Sequence, residues 1–473
     1  MIGTTRLTDA AVRFGGTLFN PASSQATSHN APAASKIDAE FKAVSIDSRK
    51  IAPGDLFVAL VGERLDAHNY LDQVVGKASA AVVSKLDKQL PLAQWVVEDT
   101  TVALGQLALL QREKFSGTVV AVTGSTGKTS VKELIASILG QLGAVHFTQG
   151  NFNNHIGVPL TLLSMETDAD FAVIEMGASA AGEIGYLCAI ARPHIAMINN
   201  VQLAHIEGFG SLEGVAAAKG EIYNGLLPKG TAVLNLDESW TDQWQDLIGE
   251  RASISFSLSN ADADISAADI QILDNGCCQF TLKTPLGAQA VTLNIPGRHS
   301  VKNALAAAAC AVAAGANLKQ IAAGLQLAAS PNRRLQAKTL SGGAVVIDDS
   351  YNASPSSMRA AIDVLAGSSG HKILVLGDMA ELGADRDELH RQVGDYAKRA
   401  GIDQLYSLGK FSALASQAFG EGRHFDDFDS LKASLCRDID GEDGKRSDLT
   451  ILVKGSRSSQ MDLVVDMLLA EKS

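Results

Sequence analysis

Residues 118–140, TVVAVTGSTGKTSVKELIASILG, constrain the fold more than any other stretch of this chain. A continuous apolar run such as 119–122 has no polar face to offer water, so it predicts a strand buried on both sides. Gly124 and Gly127 then turn the chain into the helical KTSVKELIASILGQLG. The start of a helix exposes unpaired backbone N–H groups, and the helix dipole adds positive potential at the same point. A glycine turn between a strand and a helix is therefore a ready cradle for phosphate. Lys128 would reach terminal phosphates, and the Thr129 hydroxyl would be placed for Mg²⁺. The spacing departs from the usual G-x-x-x-x-G-K-[ST], because Val122 stands where the first glycine belongs. That departure argues against an ordinary GTPase or motor ATPase. The competing reading is a glycine-rich turn with a solvated lysine, which G-K-T directly after a strand seldom is.

The same texture recurs. FAVIEMG and HIAMINN repeat the buried strand, and LEGVAAAKGEIYNGLL repeats the helix. This alternation indicates a mostly parallel sheet covered on both faces. From about 251 to 295 segments such as CQFTLKTP and AVTLNIPG alternate instead, which suits an antiparallel sheet. The alanine-rich ALAAAACAVAAGA reads as a tightly packed helix, too short for the roughly 20 residues of a membrane span. After SPNRR, the strands AVVIDDS, KILVLGD, QLYSLGK and TILVKGS are separated by helix-length segments, implying a doubly wound, Rossmann-like sheet.

At 473 residues the length agrees with about three domains. The expected class is α/β, with an N-terminal α/β domain over 1–115, a central parallel-sheet domain over 116–329 and a C-terminal domain over 330–473. Residues 21–35, PASSQATSHNAPAAS, read as a loop. A net charge of −12 argues against nucleic acid or an anionic membrane as the main partner. Five scattered cysteines without C-x-x-C read as reduced thiols, and the N-terminus has no signal-peptide core, so a cytoplasmic location is expected.

Taken singly, the other polar residues are ambiguous. Glu175 ends a strand beside the phosphate cradle, but a strand-end carboxylate is as readily a solvated charge. His205 alone reads as a surface histidine, and Lys219 as a solvated helix cation. His299 and Asn303 lie one helical turn apart on a shared face, where a cap and a packing amide would also sit. DDSYNASPSSM places Asp349 and Asn352 after a strand, with Ser354 and Pro355 forming a helix start.

Together and in order, these residues closely resemble the Mur ligase family, ATP-dependent amide-forming enzymes of peptidoglycan synthesis. That family's loop, T-G-[ST]-x-G-K-[ST]-[ST], is matched by TGSTGKTS at 123–130. NFNNHIGVPLTLL, IEMGASAAGEIGYL, AHIEGFGSLEGVAAAKGEI, DDSYNASPSSM, GDMAELG and ILVKGSRS look like the members that add D-alanyl-D-alanine to UDP-N-acetylmuramoyl-tripeptide. The D-N-P-[RA] motif usual in diaminopimelate- or lysine-adding members is absent.

The resemblance implies ATP and Mg²⁺ as cofactors, with Gly124, Ser125, Thr126, Gly127, Lys128, Thr129 and Ser130 around the phosphates. It makes Lys219 a carbamylated metal ligand beside Glu175, His205 and Thr129, and Lys128 the residue on the transferred phosphate. His299, Asn303, Arg334 and Asp349 become nucleotide contacts. Ser48, Arg49, Asn151, Asn154, Asn352, Lys454 and Ser456 become substrate contacts. The implied partners are the UDP-sugar tripeptide and D-alanyl-D-alanine, one bound by the first domain and the other by the last, and a monomer is expected. Arg333 stands where the family has glycine, which leaves open which arginine of the pair acts; Ser300 and Ala67 also depart from the family pattern. Two rivals remain at this level: another Mur-type ligase, folylpolyglutamate synthetases included, and a phosphate-loop regulator without ligase activity.

Overall fold

The computed structural model describes residues 1–21, 39–202, 206–441 and 447–472. The loop expected at 21–35 therefore lies outside the described residues from position 22 on, and so does His205.

The central sheet has six parallel strands in the spatial order Ala252–Phe256, Thr231–Asn235, Ile195–Ile198, Thr118–Thr123, Phe171–Glu175 and Val145–Phe147. Side chains alternate across a strand, so the run at 119–122 serves two cores at once. Val119 and Ala121 pack into one, Val120 and Val122 into the other. On the first face lie the helices Thr100–Lys114, Gly157–Leu163, Glu183–Ala191 and Leu212–Asn224. On the second lie Lys128–Leu139, Arg298–Ala313 and Leu318–Leu327. The alanine-rich run is the buried part of Arg298–Ala313, with residues 304–311 all fully shielded. Small side chains let this helix lie against Lys128–Leu139.

The expected antiparallel segment is present as Ser266–Ile272, Cys277–Thr284 and Gly287–Pro296. Its expected start near 251 is corrected. Ala252–Phe256 belongs to the parallel sheet, paired with Thr231–Asn235. As an edge strand it is half exposed, so its sequence lacks the apolar run that marks the inner strands.

The N-terminal sheet runs Thr17–Phe19, Gln94–Val96, Ala80–Val83, Leu56–Val58 and Val44–Ser45, antiparallel only at its first pairing. Leu56, Val82 and Trp95 share a core with the central domain through the helix Thr100–Lys114. The buried Arg112 locks that junction by donating to the carbonyls of Ala191 (2.6 Å) and Arg192 (2.9 Å). Burial lowers its pKa to about 10.

The C-terminal sheet orders Gln336–Thr339, Val345–Asp349, Leu449–Lys454, His371–Gly377, Gln404–Leu408 and Arg423–Phe425, parallel except at the first pairing. Cores on both of its faces make it doubly wound. Among the described residues no helix is long and apolar enough to cross a membrane.

Candidate active site

The chain leaves Thr118–Thr123 through Gly124 at φ 152° and enters the helix Lys128–Leu139 through Gly127 at φ 75°. A Cβ on Gly127 would lie 2.6 Å from Asn199 Nδ2 and 2.8 Å from Asn303 Oδ1. Both the positive φ and the close approach therefore demand glycine here. Gly127→Ala is expected to lower nucleotide affinity by about tenfold or more while leaving the rest of the fold intact, since left-handed backbone costs a non-glycine residue roughly 1–2 kcal/mol before any clash. Calorimetric titration with ADP checks this.

The loop is braced by asparagines at the neighbouring strand end. Asn200 Oδ1 accepts from the Thr126 N–H (2.9 Å), and its amide donates to the Thr126 carbonyl (3.0 Å). Asn199 donates to the same carbonyl and to Asn303 Oδ1, both at 3.0 Å. Lys128 folds back on the loop, its ammonium donating to the Gly124 carbonyl at 2.7 Å. Desolvation lowers the Lys128 pKa, Glu175 opposes this and Arg334 adds to it.

Glu175 ends Phe171–Glu175 directly beside Val122, at the carboxyl edge of the sheet. Its Oε1 accepts from Asn153 at 2.7 Å, while Oε2 is buried with no hydrogen-bond partner among the described residues. Lys219 lies on Leu212–Asn224, only 3% exposed, with its ammonium 5.9 Å from the centre of the Phe209 ring. No carboxylate among the described residues pairs with it. Burial drives its pKa well down, and Lys128 pushes the same way. The expectation of a solvated cation, drawn from that residue alone, is thus corrected.

The C-terminal domain supplies the facing wall. Arg334 Nη2 donates to Thr129 Oγ1 at 3.2 Å, and its guanidinium lies 4.4 Å from the Tyr351 ring centre. Arg333 instead pairs with Asp462 and Asp466 on the last helix. The geometry resolves the arginine pair: Arg334 faces the loop and Arg333 ties down its own domain. Arg334→Ala is expected to raise the KM for ATP about tenfold or more, the worth of a charge-assisted hydrogen bond. Arg333→Ala should leave that KM unchanged and lower the unfolding midpoint, both read on the same preparations. Asp349 and Lys454 form a buried pair at 2.5 Å, with Lys454 also donating to the Asn352 carbonyl (2.9 Å) and the Leu335 N–H donating to Asp349 (3.2 Å).

These groups enclose one cavity of about 910 Å³. Residues 125–130, Asn151, Asn154, Glu175, His299 and Asn303 line its central-domain side, and Arg334, Asp349, Asn352, Lys454 and Ser456 its C-terminal side. Asn154 also caps the helix Gly157–Leu163 by accepting from the Gly157 N–H at 2.9 Å. Desolvation lowers the His299 pKa, with Asp349 opposing. Ser300 turns its hydroxyl to the Pro296 carbonyl at 2.7 Å.

Gly124 and Lys219 are not among the residues that line the cavity, and Ser48 and Arg49 are not brought to it. The Ser48 hydroxyl donates to Gln73 (2.8 Å), and the exposed Arg49 pairs with Asp47 (2.8 Å). The bracing residues Asn153, Asn199, Asn200 and Gln202 were not read from the sequence. The NN pair ending HIAMINN carried the signal, because polar residues at a parallel strand's carboxyl end face the ligand crevice.

A strand-loop-helix phosphate cradle, facing a second doubly wound domain across a cavity lined by cations and carboxylates, is the build of an ATP-dependent ligase. Residues 122–311 match the Mur ligase middle domain, and residues 333–457 match the Mur ligase, glutamate ligase domain. The chain belongs to the Mur ligase family. It is 48% identical over 434 residues to the UDP-N-acetylmuramoyl-tripeptide–D-alanyl-D-alanine ligase of Escherichia coli K12, covering 91% of this chain and 94% of that one. The crystal structure of MurF from Acinetobacter baumannii superposes with a TM-score of 0.89 at 34% identity, over 98% of this chain and 99% of that one. MurF ligase from Thermotoga maritima, solved in complex with ADP, gives 0.80 at 27% identity over 91% and 97%.

Proposed function

We propose that this chain is a cytoplasmic ATP-dependent ligase that joins the tripeptide carboxylate of UDP-N-acetylmuramoyl-tripeptide to the amine of D-alanyl-D-alanine, releasing ADP and phosphate. The observation that carries this reading is the single cavity in which the phosphate loop faces Arg334 and Lys454 of a separate domain. A simple nucleotide switch has no need of that second wall. A carboxylate is a poor electrophile, so amide formation proceeds through its acyl phosphate, which the amine then attacks. The protein's part is position and charge.

In this reading residues 1–115 hold the UDP-sugar through Ser48 and Arg49, residues 116–329 hold ATP, and residues 330–473 present the amine near Lys454 and Ser456. Lys128 moves from the Gly124 carbonyl to the terminal phosphates, and His299, Asn303, Arg334 and Asp349 hold the nucleotide. Divalent metal fits this site: the buried Glu175 Oε2, without a hydrogen-bond partner among the described residues, is an oxygen suited to a hard cation. Thr129 and Glu175 would hold Mg²⁺, with Lys219 joining them as its carbamate. Bound Mg²⁺ would offset the repulsion between triphosphate and carboxylate. The depressed pKa of Lys219 supports this, since only a neutral amine adds CO₂.

The deciding experiment supplies ATP, UDP-N-acetylmuramoyl-tripeptide and D-alanyl-D-alanine, and weighs the product by mass spectrometry. The expected product is the dipeptide-extended nucleotide, with phosphate release falling to background when either acceptor or dipeptide is omitted. Equal release without dipeptide, or no dipeptide-extended nucleotide among the products, would reject the proposal.

A further inference from the structure

Gln202, one of the bracing residues, touches both walls of the site. It follows Asn199 and Asn200 at the carboxyl end of Ile195–Ile198. Its backbone is clamped to the phosphate loop: the Ser125 hydroxyl donates to the Gln202 carbonyl (3.1 Å) and accepts from the Gln202 N–H (2.9 Å). Its side-chain Oε1 accepts from the Thr126 hydroxyl at 2.9 Å. The same oxygen accepts from the hydroxyl of Ser356, in the first turn of the C-terminal-domain helix Pro355–Ala366.

One amide oxygen thus joins a loop hydroxyl to that of Ser356, which lies 154 positions from Gln202 in the chain and on a different domain. Gln202 and Ser356 also border a second groove of about 460 Å³ with Leu212, Arg359, Asp363 and Gln392. The bridge therefore lies on the seam where the two domains meet, between the cavity and this groove. In such a place a hydrogen bond can set the domain angle.

We propose that Gln202 is a positioning residue that couples the state of the phosphate loop to the placement of the C-terminal domain. Thr126 and Gln202 Oε1 hold each other, so a loop in its cradle conformation presents the oxygen that Ser356 needs. Helix Pro355–Ala366 begins shortly after Asp349 and Asn352, so holding Ser356 holds that part of the C-terminal wall over the loop. Gln202 touches no reacting atom in this scheme. The inference rests on reading the cavity as the ligase site, but the coupling itself is measured without ligation.

The test uses the full-length protein with Gln202→Ala, Ser356→Ala, their combination, and Gln202→Glu, whose carboxylate also accepts from two hydroxyls. Donor and acceptor dyes at the exposed positions Ile272 and Leu463 report the distance between the central and C-terminal domains. Expected is a broadened, longer distance in Gln202→Ala and Ser356→Ala alike, no further change in the double variant, and a distance restored by Gln202→Glu. In turnover, kcat falls about tenfold in either single variant and no further in the double, while ADP affinity stays within about twofold. Independent, multiplying losses in the double variant would overturn the coupling, as would an unchanged distance in both singles. Distance effects present in the variants, with a wild-type protein that ligated nothing, would count against the proposed reaction and leave the coupling standing.

Discussion

Lys219→Ala is expected to reduce ligation by about 10³-fold, in the range seen when one group stabilising transition-state charge is removed. Binding of the UDP-sugar substrate should change little, because Lys219 sits in the central domain, on the helix Leu212–Asn224. Three facts lead to this. The ammonium is buried, no carboxylate among the described residues answers it, and the charge that acts on it is another cation, Lys128. A side chain in that setting is a poor ammonium but a good nucleophile for CO₂. The isosteric Lys219→Met should be equally inactive and at least as stable as the parent at neutral pH. The sign follows from linkage: a lysine whose folded pKa lies below its unfolded value weakens the fold at every pH below the unfolded value, and the penalty fades as pH rises toward it. Steady-state turnover and denaturant midpoints between pH 7 and 10 check both arms. Near-normal turnover in either variant would reject the carbamate.

Lys454→Met should destabilise the C-terminal domain by about 3–5 kcal/mol, the cost of leaving one partner of a buried ion pair alone. Asp349 would keep only the Leu335 N–H, and the contact from Lys454 to the Asn352 carbonyl would go as well. Adding Asp349→Asn should recover most of that loss, because the stranded charge is then gone. Denaturant unfolding of the single and double variants measures it. A double variant less stable than Lys454→Met would mean that the pair contributes through geometry and not through charge compensation. Activity should be low in both, since the pair forms part of the cavity wall.

The phosphate loop, the alternation of buried strands and helices and the doubly wound last domain were legible because each is written in local sequence. The apolar run at 119–122 must be covered on both faces, and its side chains do serve two cores. Ala252–Phe256 was misread because an edge strand needs no apolar run. Arg333 and Arg334 could not be separated by type or spacing. They parted only when a left-handed turn at Arg333, φ 57°, sent the two side chains to different partners.

Lys219 marks the same boundary more sharply. Its position in AAAKGEI has the composition of a solvated helix face, and only the resemblance to a family gave it a role. Sequence alone determined the loop, the class of sheet and the family, because periodicity, glycine placement and motif order are properties of neighbouring residues. Tertiary structure decided that, among the described residues, Lys219 is buried without a counter-ion and Glu175 keeps one oxygen unpartnered, and that Gln202 spans two domains. Burial and partnership are set by segments that meet only when the sheets have formed, as Gln202 and Ser356 do across 154 positions, and no local pattern encodes them.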